Sequence, residues 1–509
     1  MWEVFTRNTD PLLKIVHLAS VQPFFDEKNP TSRSMPSDAR ALKFAVCFGA
    51  AASQDPPSSN VFSSPAQGSL SKTYAHHFEM SLSKAQFMSN PTITSLQALT
   101  IYLSCGAKFL DRMYVWSLTA ILVRLAMKLK LHRDPDEQPG LAFRDAEYRR
   151  RLWWHICSLD ASTAEANETD PVVYERQCST RFPAAAQDST INQAVPKGSP
   201  ETLFATHSPD MFYCLIRFEI TYYIRTVLFS DTFNEENDFP ALPADGKLSI
   251  IDSLERTLQE KYYRRCNCNA ATCKIAIMSS RIIVAKLKLR IRQASTPGPR
   301  YLTSAAAEST ITACTEVLEA TQRLRTDATL SSWTWLWRRE TDLDAAGTCL
   351  QTLHQARPRS AITQKAWTAI DAFFANTKSD PDLVKDVQYT RLLALRSKVQ
   401  KSSPSAKHKP ISPLGRQRRA SMDAETGVKE AVLRSFTSPI GAVSMVDLGT
   451  MNTTGKHFNS DSVSSRSSGG SVAVESPNSA SSAAAAWPLP LGGGSESGKR
   501  GSMVLDFMI

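Results

Sequence analysis

A chain of 509 residues with 42% hydrophobic side chains is long enough to bury a large core. A formal net charge of +10 permits an acidic partner such as nucleic acid but defines no site for one. No apolar run reaches the roughly 18 residues that a membrane-spanning helix needs, and residues 1–17 lack the basic-then-apolar pattern of a secretory signal.

In chain order the periodicity reads almost wholly as helix. Ser37 is placed as an N-cap, followed by Ala41, Leu42, Ala45 and Val46 at helical spacing. After Pro91, Thr92 or Thr94 caps a helix carrying Leu96, Leu99, Ile101 and Leu103. Residues 112–132 stack Trp116, Leu118, Ile121, Leu122, Leu125, Ala126 and Leu129, relieved only by Arg112, Arg124, Lys128 and Lys130. That pattern predicts a largely buried helix.

Further helices are predicted within 210–229, 249–265, 273–293, 305–325 and 363–377, with turn-rich breaks between several of them. No β-hairpin signal occurs. From about Lys401 the chain turns basic and proline-punctuated, then Ser/Gly/Ala-rich, a composition that cannot offset ordering entropy. The expected organisation is an all-α multi-helix domain over 1–400 and a disordered tail over 401–509, ending in the apolar run "MVLDFMI".

Motifs for chemistry are weak throughout. Cys266, Cys268 and Cys273 are the densest cysteine group, yet the chain has no C-x2-C pair to complete a structural zinc site. The scattered cysteines otherwise suit a reducing compartment, cytosol or nucleus. Gly493, Gly498 and Lys499 have phosphate-loop spacing, but Arg500 stands where Ser or Thr should hold magnesium. There is no G-x-S-x-G elbow and no Asp-Asp pair; His76, His77 and His132 read as structural residues. No enzyme activity, metal or cofactor is therefore expected in the chain.

The stretch "EYRRRLWWHICSLD", 147–160, sets three arginines against two tryptophans. On a helix successive residues step about 100°, so Arg149, Arg150 and Arg151 fan apart and form no single basic face. Leu152, Ile156 and Leu159 share one face, extended by Trp153 and Cys157. Glu147 is four before Arg151 and pairs with it; Arg149 is four before Trp153 and is expected over its ring. The stretch reads as a helix clamped on several sides, since a DNA-reading helix would aim its arginines together.

"LKLHRD" at 129–134 and "EYRRRLWWHICSLD" together resemble the fungal-specific transcription factor domain, the middle homology region of zinc-cluster regulators. The segments "LIRFEITYYIRTVLF" and "SSRIIVAKLKLRIR" resemble its later helices, so the resemblance covers roughly residues 1 to 375. The matching residues are Leu131, His132, Arg133, Asp134, Glu147, Arg150, Arg151, Trp153, Trp154 and Asp160, with a structural role implied for each. Lys130 replaces the family's usual glycine, Ala120 stands where glycine is common, and the element after the Trp-Trp helix is reduced to "NETDP".

The resemblance implies a fungal transcription regulator acting in the nucleus through transcription machinery, another regulator or a second copy of itself. The six-cysteine, two-zinc head of such regulators does not occur in the 509 residues, so zinc is expected only in a missing N-terminal cluster, and DNA contact only through such a head or a partner. Lys407, Lys409, Arg416, Arg418 and Arg419 form a loose bipartite cluster that suits an import receptor and equally suits a solvated linker. Ser421, behind two arginines, fits a basophilic-kinase site. The alternative function is a helical partner-binding scaffold that has left transcription.

Overall fold

The computed structural model describes residues 1–402 apart from 27, 29–33, 55–69, 108–109, 139, 187, 192–208, 267–269, 296–303, 337–339, 357–360 and 378–386. The expected tail, its basic cluster, Ser421, Cys268 and the phosphate-loop near-miss lie outside the described residues. Among the described residues the regular structure is helical, with no strand.

Three short helices open the chain: α1 (Trp2–Asn8), α2 (Asp10–Leu13) and α3 (Leu18–Val21). Then come α4 (Ser37–Ala52), α5 (Leu70–Lys84), α6 (Ile93–Gly106), α7 (Arg112–Lys128) and the long α8 (Phe143–Ala166). The short α9 (Asp188–Ile191) precedes α10 (Phe212–Val227), α11 (Asp231–Glu236), α12 (Ala244–Lys261) and α13 (Ala271–Ser295). The last are α14 (Ser304–Thr326), α15 (Glu340–Ala356), α16 (Ala361–Thr377) and α17 (Val387–Ser402).

Helix starts follow the side chains available. Thr92 caps α6 in a reciprocal box: Ser95 N–H donates to Thr92 Oγ1 at 3.0 Å, and Thr92 N–H donates to Ser95 Oγ at 2.9 Å. Asp111 caps α7 by accepting from Tyr114 N–H at 3.0 Å. Ser37 is not a cap. The helix begins on it, with Pro36 at the N-cap, because Asp38 supplies the local acceptor, taking Ala39 N–H at 2.8 Å. The other Asp38 oxygen accepts from Thr92 Oγ1 at 2.9 Å and ties the starts of α4 and α6 together.

Packing runs as a series. α4 lies against α5 and α6; α6 and α7 lie against α8; α8 meets α10; α10 meets α12 and α13; α14 joins α13 to α15 and α16, and α17 covers α15. One contiguous apolar cluster extends from Phe5 to Val399. In the N-terminal half Tyr102 stacks on Phe78 with centroids 4.2 Å apart, and the hydroxyls of Tyr102 and Tyr114 both donate to Glu79 Oε1, at 2.7 and 3.1 Å. One carboxylate thus fastens α5, α6 and α7. On α7 only one face is buried, through Val115, Leu118, Leu122, Val123 and Ala126; Trp116, Ile121 and Leu125 are half-buried.

Three helices end in the same way without glycine. After α7, α8 and α11 the residues Lys130, Glu168 and Asp238 sit at φ of 58°, 55° and 58°. Behind each, a backbone N–H reaches back to the helix: Leu131 to Ala126 O at 3.0 Å, Thr169 to Ala164 O at 3.0 Å, and Phe239 to Asn234 O at 2.8 Å. This is the Schellman closure, whose left-handed position glycine fills without strain. A left-handed L-residue costs about 1–2 kcal/mol. The side chain of Lys130 is exposed, so Lys130→Gly relieves the strain and removes no packing. We expect that variant to be more stable by up to about 1 kcal/mol in urea unfolding, the strain relief being offset in part by glycine's freer unfolded chain; a lower midpoint would refute the strain at this turn.

Candidate functional site

Helix α8 packs against α6 and α7 and against α10. Leu152, Ile156 and Leu159 are buried, and so are Trp153, Trp154, His155, Cys157 and Ser158, so the middle of the helix has no solvent face. Trp153 is 1% exposed. Its ring lies 6.1 Å from that of His132. Trp154 donates its indole N–H to Arg181 O at 3.0 Å and packs on Phe182 with centroids 4.2 Å apart.

The three arginines diverge. Arg149 Nη1 donates to Leu129 O at 3.3 Å and closes the end of α7. It does not cover the Trp153 ring as the spacing suggested, because the orphan carbonyl at a helix end is the stronger attraction for its charge. Arg150 grips Asp134 in two-pronged fashion, Nε to Oδ2 at 3.1 Å and Nη2 to Oδ1 at 2.7 Å, and also reaches Asp136 at 2.8 Å. Arg151, fully buried, donates to Glu147 at 3.3 Å, Asp188 at 2.7 Å, Lys14 O at 3.3 Å and Ala186 O at 3.2 Å. The cation lying over a ring is Arg151, 5.0 Å from the Tyr148 centroid.

Each acid of the signature is matched to a specific donor set. Asp134 takes Arg150, the Arg181 N–H at 2.9 Å and the Arg181 guanidinium at 3.2 Å. Burial alone would raise this carboxyl, but the Arg150 and Arg181 hydrogen bonds hold it well below the usual carboxylate range. Glu147 accepts from Ala184 N–H at 3.1 Å besides Arg151; burial dominates there and pushes its carboxyl up. Asp160 accepts from the N–H groups of Val172 and Val173 at 3.0 and 2.8 Å, and Arg225 on α10 donates to Val173 O. Those contacts hold the turn after α8. Leu131 O accepts from Thr180 Oγ1 at 2.7 Å and His132 O from Ser179 N–H at 2.9 Å, while the side chain of Arg133 is exposed.

The residues that sequence reasoning missed lie on partner elements. Four successive carbonyls at the end of α2 each accept from a side chain. Leu12 O takes Cys214 Sγ at 3.4 Å, Leu13 O takes His155 Nε2, Lys14 O takes Arg151 and Ile15 O takes Gln97 Nε2 at 2.6 Å. Lys14 itself is left-handed, at φ 51°, and bridges Asp10 at 2.9 Å and Asp188 at 3.4 Å. On α10, Tyr213, Arg217, Thr221 and Arg225 recur every fourth residue and are all buried. Thr221 meets Ser158 of α8, their hydroxyl oxygens 3.0 Å apart. That stripe was visible as charges embedded in an apolar helix.

Burial pushes the Cys47 thiol up to about 11 and those of Cys105 and Cys214 up to about 12, so they remain protonated and inert. Among the described residues no group of three or more His, Cys, Asp or Glu side chains is placed to hold a metal, so they do not fit a zinc cluster. Among them, too, no helix is long and apolar enough to cross a membrane.

Residues 2–220 match the model of the fungal specific transcription factor domain, a shorter span than the 1–375 expected. The aurofusarin cluster transcription factor of Gibberella zeae is 28% identical over 297 residues, 57% of this chain and 43% of that protein. The pyriculol/pyriculariol biosynthesis cluster transcription factor 1 of Pyricularia oryzae is 24% identical over 383 residues, 73% of this chain and 50% of that protein. A C6 finger domain transcription factor of Aspergillus fumigatus is 28% identical over 204 residues, 39% of this chain and 26% of that protein. The chain spans half the length of these relatives or less.

Two outcomes test the joint. Trp153→Ala should cost about 3–5 kcal/mol of stability by calorimetry or urea unfolding, as a large buried aromatic removed from a core does; a variant of unchanged stability would show that α8 is not the joint. Asp134 has a depressed carboxyl, so its stabilisation is present above the unfolded value of about 3.9 and is lost as pH falls through the folded one. The stability gap between wild type and Asp134→Asn should therefore be widest near neutrality and shrink on acidification below pH about 4. A gap that does not change with pH would contradict the Arg150–Asp134 assignment.

Proposed function

We propose that the chain is a fungal transcription regulator of the zinc-cluster class whose regulatory domain is α1–α10, because residues 2–220 match the model of the fungal specific transcription factor domain. The observation that carries this is the buried joint on α8. The two signature elements, 129–134 and 147–160, are locked together by the Arg150–Asp134 pair and by the Arg149–Leu129 contact. The relatives' printed names, transcription factors of biosynthesis clusters in two cases, support the same reading.

In this reading the helical domain does not touch bases. Its most basic stretch spends its arginines on internal acceptors, Arg150 and Arg151 as buried groups and Arg149 half-buried. Specific DNA contact belongs to a six-cysteine zinc head on a longer gene product or to a partner regulator. Whatever affinity residues 1–402 have for DNA is electrostatic and falls steeply with salt. Action is nuclear, with import through Lys407, Lys409, Arg416, Arg418 and Arg419 and modulation by phosphorylation of Ser421, which would cut the local positive charge. The partners are transcription machinery, an import receptor and another regulator or a second copy of the chain.

Tethering the chain to a heterologous DNA-binding module upstream of a reporter should shift output from that of the module alone, and the fluorescently tagged chain should enter the nucleus. Deleting 401–435 should abolish entry. A chain that stays cytoplasmic and leaves the reporter unmoved sinks the proposal, and one that enters normally without 401–435 removes the import role of the basic cluster.

A further inference from the structure

The excess positive charge of the chain is gathered in one stretch. Residues 387–422 hold nine Lys and Arg side chains and no Asp or Glu, against a net charge of +10 for all 509 residues. The first sixteen of them form α17 (Val387–Ser402), which packs on α15. Tyr389, Leu392 and Val399 turn inward and are buried. Arg391, Ala394, Lys398 and Lys401 are exposed on the other side. At about 100° per residue these four fall within an arc of roughly 80°.

The remaining cation of the helix, Arg396, is drawn sideways and pairs with Asp371 of α16 at 2.6 Å. Arg391, Lys398 and Lys401 pair with no acid among the described residues. They form a ridge with the small Ala394 in its middle, and from Arg391 to Lys401 it runs roughly 15 Å along the helix axis. The exposed cations at the end of α7, Arg124, Lys128 and Lys130, are placed differently, because Asp134, Asp136 and Glu137 follow close behind them in the chain.

We infer that the outer face of α17 lies along the phosphate backbone of duplex DNA, with Arg391, Lys398 and Lys401 on phosphates of one strand. A strand advances about 3.4 Å of axis per phosphate, so the ridge spans about four. Backbone phosphates are met by point charges strung along a line, which hold a protein on the duplex without reading sequence. A phosphorylated or acidic peptide is met instead by arginines clustered for two-pronged contact, whereas two of these three cations are lysines and all are spread out. An anionic membrane takes up the apolar face of a helix. That face of α17 is already spent on the domain, and of its large apolar residues only Val387 and Leu393 are exposed. The choice of DNA rests on the transcription reading, to which the ridge adds a sequence-blind contact outside any zinc head.

The test measures binding of the full chain to a fluorescent duplex of random sequence between roughly 50 and 200 mM salt. The triple variant Arg391→Gln, Lys398→Gln, Lys401→Gln should bind at least tenfold more weakly at roughly 0.1 M salt, and its slope of log affinity against log salt should be shallower by about 2 to 3, at about 0.9 per phosphate contact. Its thermal midpoint should match wild type, because the three side chains lie in solvent. Arg391→Lys keeps the point charge and should bind as wild type does. Changing Arg124, Lys128 and Lys130 to Gln removes the same charge elsewhere and should leave the slope nearly unchanged. An unchanged slope in the α17 triple overturns the site, and so do equal losses in the two triples, which would mean that net charge alone acts. A triple that melts below wild type overturns the exposed placement of the ridge. A loss larger on phosphatidylserine vesicles or on polyglutamate than on the duplex assigns the ridge to a membrane or an acidic protein and overturns the DNA contact. Nuclear entry and reporter output fail separately from this slope: a chain that passes them with an unchanged slope in the triple keeps the transcription reading and loses the ridge, and the converse result keeps the ridge and loses the reading.

Discussion

The guanidinium of Arg151 is the contact on which the arrangement of the N-terminal half depends. It is wholly buried and joins four separate segments: its own helix through Glu147, the end of α2 through Lys14 O, the loop before α9 through Ala186 O, and α9 through Asp188. Burial would strip its proton, yet Glu147 and Asp188 outweigh that and hold it charged. Removing one partner of such a set leaves a bare charge in the core, which is worse by several kcal/mol than never having had the set. The network therefore fixes position more than it adds stability. An apolar seam tolerates sliding, whereas a guanidinium with four assigned acceptors tolerates one register.

That constraint explains why the opening helices sit where they do. α2 is four residues long and has no intrinsic stability as an isolated helix. Its carbonyl end is instead completed by Cys214, His155, Arg151 and Gln97, drawn from three longer helices. The left-handed Lys14 that turns the chain away is kept there because its carbonyl and its ammonium are both used. The short N-terminal segment is thus folded by the side chains of α6, α8 and α10, and by little of its own.

Much of this was legible beforehand, and the failures have physical causes. The all-α class, the long central helices, the Thr92 cap and the Glu147–Arg151 pair follow from periodicity and short-range spacing, which act within one helix. The fan of Arg149, Arg150 and Arg151 follows from helix geometry alone. What spacing could not supply is the identity of distant acceptors: Asp188 is 37 residues from Arg151, and Lys14 is 137 away. Helix α5 gives little signal because its buried face mixes Ser71, Ala75, Phe78, Ser81 and Leu82, a stripe with two hydroxyls in it. The positive φ of Lys130 is likewise invisible to periodicity, since it is set by the closure of the turn after α7 and not by the residue itself.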